Sequence, residues 1–368
     1  GFFFKFTPLL ENDSTLRKIA HHARLSNFKV ILIAFAVAVT SMIAFSITNA
    51  DDFVSASRSI PNVVTVLLIA LKAFATFLRK EEIWSIFEDL RAMFATRQGL
   101  NAKYKIKSYL DSYLRFIRIY AGTIFLTFIP LVSPLVSFVL FGTMNKLPVP
   151  YWYPFDPMTK ENYGYAVSWL VYIAYHCLVF LVAADSLLYS LITVVAMEFD
   201  ILATDFEDLK ALAKNERMDK IKNLIEHHNK LLGIGDKLQD IFDLTFLFSF
   251  VISSFIMCFL AFQLSTTFTV EAYSFYIPYL LMIGGQILLL CFYGQKILDS
   301  SVNVTSGVFN CGWEEFDDND LKKHLILVIQ RSSKAKKLTA MNFAVISLPA
   351  FTSVRLKDVK NFNFLFIL

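Results

Sequence analysis

Charge is scarce in this chain. Asp, Glu, Lys and Arg together make up 18% of its 368 residues, against roughly one quarter in an ordinary soluble domain, while 56% are hydrophobic and the mean hydropathy is +0.53. Cysteine is equally sparse. Cys177, Cys258, Cys291 and Cys311 are scattered, and three of them sit in apolar runs where a thiol packs as a small hydrophobe, which argues against a disulfide framework and a metal site. The net charge of +4 is small and dispersed over several loops, so no basic surface could track phosphates and nucleic acid is not expected as a partner. Catalytic signatures are also missing: there is no HExxH, no P-loop and no GxSxG, and Gly233-Ile234-Gly235 lacks the later glycine of a dinucleotide fingerprint. The expectation is a protein that is not an enzyme and needs no cofactor.

What the chain has is long apolar runs. Crossing a hydrocarbon core about 30 Å thick takes roughly 20 apolar residues in helix, because lipid offers the backbone no hydrogen-bond partners. Seven segments meet this, near 30–48, 60–78, 113–142, 164–197, 244–268, 273–295 and 338–354. The first follows a charged stretch with no short apolar core and cleavage site, so it reads as a spanning helix and not a signal peptide. The run 164–197 leads directly into Glu198, Asp200, Asp205, Glu207 and Asp208, which predicts helix continuing out of the membrane into a cytosolic layer. Residues 80–97 add an amphipathic helix, with Ile83, Ile86, Phe87, Leu90 and Phe94 recurring at helical spacing.

Lys and Arg fix the expected orientation, since short loops rich in them stay cytosolic. The N-terminal stretch and the segments 79–112, 198–237 and 296–338 hold 26 of them, whereas the opposite loops hold only Arg58, Lys146 and Lys160. Seven spans then put the N-terminus in the cytosol and the C-terminus outside. The sequons at Asn12 and Asn303 would face the cytosol and stay unmodified.

Candidate site residues cluster in the outer halves of the spans. Tyr165, Ser168, Trp169, Tyr172, Tyr175 and His176 recur at steps of three and four along the fourth span. Two readings stay open: a ligand cavity, or interface-belt aromatics and helix packing, with His176 deep enough to turn inward. The sixth span brings Tyr276, Tyr279 and Leu280 beside Phe275 and Pro278. The third brings Ser133, Ser137 and Phe138 beside Pro130 and Pro134, and Val66 lies at a similar depth in the second. Proline kinks and small residues leave gaps suited to a small, mostly apolar ligand. Asp185, inside the fourth span, is expected to hydrogen-bond neighbouring helices, and Lys72 to snorkel towards the interface. The pairs His21-His22 and His227-His228 read as solvated surface.

Three stretches resemble the insect odorant receptor family: Pro148-Val149-Pro150-Tyr151-Trp152-Tyr153-Pro154-Phe155-Asp156, the lead from Gly294-Gln295-Lys296 through Ser306 to Asn310-Cys311-Gly312-Trp313, and Leu321 to Phe351 with Arg331, Lys334, Ala335 and Lys337-Leu338-Thr339-Ala340. The resemblance implies an all-α membrane protein of seven helices, and an odorant-gated cation channel at the plasma membrane, multi-pass, on the dendrite of an olfactory sensory neuron. Residues 1–316 would form the ligand-binding bundle with its cytosolic extensions. Residues 317–368 would hold a seventh helix split into a cytosolic anchor half, about 317–335, which assembles four subunits, and a pore-lining half, about 338–354, with Ser347, Phe351 and Val354 at the pore. The chain lacks the long cytosolic insertion of the family's shared co-receptor, so the resemblance implies an odorant-specific tuning subunit whose partners are that co-receptor, a small volatile odorant and membrane lipid. Where the family continues into a Ser-Tyr-Ser-aromatic run after Val354, this chain reads Arg355-Leu356-Lys357-Asp358-Val359-Lys360. The alternatives are a gustatory-type ligand-gated channel, for which the seventh-helix signature is missing, and a secondary transporter, for which an internal repeat is missing.

Overall fold

The computed structural model describes residues 14–95 and 106–352. Among them run the α-helices α1 (Ser14–Thr48), α2 (Phe53–Ala56), α3 (Ile60–Leu78), α4 (Lys80–Ala95), α5 (Ile106–Phe141), α6 (Tyr163–Glu207), α7 (Lys214–Thr266), α8 (Val270–Asn310) and α9 (Asn319–Ser332), with helix again at 348–352. A two-stranded antiparallel hairpin follows, β1 (Thr339–Ala340) and β2 (Ala344–Val345). Six of these helical stretches are long and apolar enough to cross a membrane, and they cover the first six predicted spans to within about two residues. At 1.5 Å per residue, the 53 residues of α7 extend about 80 Å, far beyond a hydrocarbon core. The expectation of helix projecting out of the spans holds for α6 as well, which is unbroken to Glu207.

Side-chain chemistry sets where these helices end. Gly142 ends α5 and Gly312 follows α8, both with positive φ, the left-handed conformation that closes helices and that glycine adopts without a Cβ penalty. Thr269 caps α8 by accepting from the Ala272 amide at 3.2 Å, and Asp318 caps α9 by accepting from Asp320 and Leu321.

The chain divides into two compact units. The first comprises the described parts of Gly1–Val66 with Leu131–Cys177. Here Ala34, Ala38 and Met42 of α1 bury one stripe at four-residue steps, while Val30, Ile33, Val37 and Ile47 are exposed, as a lipid-facing helix requires. The loop after α5 is pinned to α1: the Ser41 hydroxyl donates to the Trp152 carbonyl at 2.5 Å, and the Trp152 amide returns a bond to the Ser41 carbonyl at 3.2 Å.

The second unit comprises Leu67–Pro130 with the described part of Leu178–Leu368. Its core follows α6, where Leu191, Ile192, Val195, Phe199, Leu202 and Phe206 are fully buried. Half of the most apolar stretch of α6 is buried, against 17% of that of α5, so α6 is packed by protein while α5 leaves most of its apolar surface uncovered. Gly307 of α8 lies against the Ala203 backbone so closely that a Cβ would meet the Ala203 carbonyl oxygen at 2.1 Å. The amphipathic α4 buries Ile83, Ile86 and Leu90 as its spacing predicts, leaves Phe87 half-buried and also buries Met93, and Asp89 faces Lys230 and Lys237 of α7 at 3.7 and 3.3 Å.

Three expectations are corrected. The run 338–354 is not a helix from its start: residues 338–347 form the hairpin and its exit, and helix resumes only at Leu348. Lys72 does not snorkel; it is buried, with its ammonium 2.8 Å from Asp185. His227-His228 is not a solvated pair, because α7 turns His228 into the core against the Phe199 ring and brings His227 Nε2 to 3.3 Å from the buried Glu198 carboxylate. Both partners lie on the extension of α6, which screens the imidazoles from water. Val354, the charged run from Arg355, Asn12 and the side chains of His21 and His22 lie outside the described residues.

Candidate functional site

In the first unit, helical steps of three and four turn the predicted residues of α6 into one aromatic ladder. Trp169 stacks on Tyr172 with centroids 6.2 Å apart, Tyr172 lies 4.4 Å from the His176 ring, and Tyr175 meets His176 edge-on at 5.3 Å. His176 is half-buried, and its Nδ1 is 2.9 Å from the Tyr172 carbonyl oxygen. A carbonyl only accepts, so the neutral ring carries its proton on Nδ1 and presents Nε2 as an acceptor. Tyr165, Tyr172 and Tyr175 are exposed, and Trp169 is half-buried.

Other residues of this unit supply the polar and apolar background. Val66 is buried, Ser133 is exposed, and Ser137 and Phe138 are half-buried. The Phe138 ring lies 4.9 Å from that of Tyr163, a residue that was not singled out from the sequence. Tyr163 is completely buried; its hydroxyl donates to the Asn145 carbonyl at 2.9 Å and accepts from the Asn145 amide at 3.0 Å, fastening the start of α6 to the loop after α5. Its position at the first residue of a helix, after a polar loop, was the only sequence signal for it. Tyr153 in the same loop donates to the Ala166 carbonyl at 3.2 Å, and burial pushes its phenol up to about 12.

In the second unit, Tyr276 and Tyr279 of α8 are buried, and both pack edge-on to Phe275 at 5.4 and 5.9 Å; Leu280 is half-buried beside them. Further along this unit is a buried polar centre. Asp185 on α6 accepts from Lys72 of α3 at 2.8 Å and from the Tyr120 hydroxyl of α5 at 2.5 Å, so one carboxylate joins three helices. Beside it Thr76, Ser249, Ser253 and Gln286 line a cavity of about 20 Å3, room for about one water molecule. Tyr120, Tyr189 and Tyr293 continue from this centre as ring contacts at 6.2 and 4.7 Å. The expected hydrogen bonding of Asp185 is present, and its partners come from 65 and 113 residues away.

A second carboxylate joins helices lower in the same unit. Asp200 of α6 accepts from Tyr109 at 2.7 Å, from Ser300 at 3.0 Å and from Asn303 at 3.2 Å. Burial, followed by the adjacent carboxylate, holds the Tyr109 phenol well above its ordinary range. Of the residues assigned to a pore, Ser347 is buried and Phe351 half-buried at the start of the helix after the hairpin. Among the described residues, no group of His, Cys, Asp and Glu is placed to hold a metal ion.

Comparison with known proteins places this architecture. The sequence profile of the family described as 7tm Odorant receptor matches residues 52–355. Among curated relatives, Odorant receptor 67c of Drosophila melanogaster is 26% identical over 93% of this chain and 86% of its own length, and Odorant receptor 85b of the same species is 23% identical over 93% and 90%. Among solved structures, the insect olfactory receptor OR5 from Machilis hrabei superposes with a TM-score of 0.78 at 15% identity, covering 91% of this chain and 87% of that one. The same receptor in complex with eugenol gives 0.80, covering 94% and 90%. The chain therefore belongs to the 7tm odorant receptor family.

Proposed function

We infer that this chain is the odorant-sensing subunit of a heteromeric odorant-gated cation channel, with the shared co-receptor as its partner in the plasma membrane of an olfactory neuron dendrite. Family membership supports the receptor reading, and the OR5 structure with eugenol supports odorants as the ligand class. The observation that carries the site is the ladder Trp169–Tyr172–His176, which offers stacked rings to an apolar ligand and an imidazole acceptor to a hydroxyl. Val66, Ser133, Ser137 and Phe138 belong to this assignment in the first unit, and Tyr276, Tyr279 and Leu280 form a second set of odorant-sensing candidates in the second unit.

In this reading the chain has seven membrane helices with a cytosolic N-terminus and an extracellular C-terminus. Residues 1–316 form the sensing bundle. Residues 317–368 hold the anchor half, matching α9, and the pore half with Ser347, Phe351 and Val354. A ligand shifts the pore only by as much as it binds the open state more tightly than the closed one, so selectivity rests with the aromatic residues and the gate with the pore half. Alanine at Tyr172 and at His176, assayed separately against alcohols and matched ethers, tests the assignment. Loss of His176 should weaken responses to alcohols more than to ethers, by roughly 5- to 10-fold for one hydrogen bond. Unchanged responses in both variants would remove the ladder from the site.

A further inference from the structure

The segment joining the anchor helix to the pore half is held in an unfavourable backbone conformation by two side chains of α7. After a turn at Ser333 and Lys334 the chain pairs Thr339 with Val345 and Ala340 with Ala344, and reverses through Met341 and Asn342 with φ of 51° and 59°. The Phe343 amide donates to the Ala340 carbonyl at 2.9 Å, closing the four-residue turn. Two successive positive φ values are those of a type I′ turn, for which asparagine and glycine are suited and methionine is not. A methionine there persists only where its surroundings hold it.

Gln239 and Asp243 provide that hold. They are four residues apart and so share one face of α7. The Gln239 side-chain amide pairs with Thr339 in both directions: its Oε1 accepts from the Thr339 amide at 2.8 Å, and its Nε2 donates to the Thr339 carbonyl at 2.9 Å. Asp243 Oδ1 accepts from the Met341 amide at 2.6 Å and from Gln239 Nε2 at 2.7 Å, which ties the two side chains together. One turn earlier, Lys336 forms an ion pair with Asp236, and its stem crosses Gly235, where a Cβ would meet Lys336 Cε at 2.9 Å. From the other side, Gly294 of α8 admits the Ile346 carbonyl, which a Cβ would meet at 2.3 Å, and Ser301 accepts from the Lys336 amide.

We propose that Gln239 and Asp243 are the positioning residues that couple the pore half to the bundle: they clamp the strained hairpin at 339–345, and the strength of this clamp sets the balance between closed and open pore. This rests on the channel reading above. The hairpin is the joint between α9 and the pore half, α7 carries no residue of either, and the clamp is the described hydrogen-bonded link from α7 to the turn itself.

The clamp and the turn's own preference make opposite predictions, and that is the test. Asp243→Ala and Gln239→Ala loosen the hairpin, whereas Met341→Asn with Asn342→Gly makes it the preferred I′ turn. Each variant is expressed with the co-receptor, matched for surface labelling and co-precipitation, and read by basal current and half-maximal odorant concentration. The loosening and tightening variants should shift the half-maximal concentration in opposite directions, each by roughly 3- to 30-fold, the range of coupling effects along allosteric elements. Shifts of the same sign, or none, overturn the proposal. Amide exchange at residues 339–345 of the purified full chain gives a second readout, faster in Asp243→Ala and slower in the turn variant; unchanged exchange in both also overturns it. If the unmodified pair carries no odorant current while exchange responds as described, the channel reading fails and the gating role with it, leaving only the clamp.

Discussion

Lys72 and Asp185 form a buried ion pair, 2.8 Å apart, between α3 and α6 at membrane depth. Two charges in a poorly polarisable interior cost several kcal/mol each to desolvate, and their attraction offsets this only where the remaining hydrogen-bonding capacity is used. Here Tyr120 takes the second carboxylate oxygen. Removing one partner leaves the other charged and alone, so Lys72→Met or Asp185→Leu should each destabilise the protein by about 3–5 kcal/mol. The double variant should recover most of that loss, short of about 1–3 kcal/mol for a stranded Tyr120 hydroxyl, which Tyr120→Phe then removes. Thermal unfolding of the detergent-solubilised chain, followed by size-exclusion fluorescence, reads this series. Additive losses in the double variant would contradict a mutually compensating pair.

The contact between α6 and α8 gives a second prediction. With the Ala203 carbonyl oxygen 2.1 Å from where a Cβ would stand, Gly307→Ala cannot be relieved by a rotamer change, because the obstacle is backbone. Overpacking of this kind costs about 1–3 kcal/mol, and the separated helices would also stretch the bonds from Ser300 and Asn303 to Asp200. Gly307→Ala should therefore lower thermal stability, while Gly122→Ala, where a Cβ meets nothing within 4 Å, should be neutral or slightly stabilising. Equal effects at both glycines would argue against a tight crossing.

Orientation is testable through glycosylation. With a cytosolic N-terminus, the sequon at Asn303 faces the cytosol, and its side chain is already donating to Asp200. Glycosidase treatment of the wild-type chain should leave its electrophoretic mobility unchanged, whereas a sequon inserted in the loop near Lys160 should be modified. Modification at Asn303 instead would invert the topology.

Legibility in the sequence followed the range of the interaction. The first six spans and α4 were readable because apolar runs and 3.6-residue periodicity are local properties, and α4 buries the Ile83, Ile86 and Leu90 that its spacing marks. The ladder on α6 was readable for the same reason. Lys72 was misread because its partner lies 113 residues away, and an isolated lysine in a span has no local sign of pairing. His228 looked solvated because its neighbours along the chain are polar, but the helix turns it onto Phe199. The hairpin escaped notice because Ala340-Met341-Asn342-Phe343 carries no glycine or proline and only Asn342 suits a positive φ; the Met341 amide bonds instead to Asp243, about 100 residues away in the chain.

A chain that senses odorants as one subunit of a channel must depend on its partner for current. Whole-cell current in cells expressing it with and without the co-receptor, under a panel of volatile esters, alcohols and aromatics, tests that most directly. Odorant-evoked cation currents should require both chains, and their odorant selectivity should follow this one. Silence with both chains at the cell surface, or identical selectivity when this chain is replaced by another tuning subunit, would contradict it.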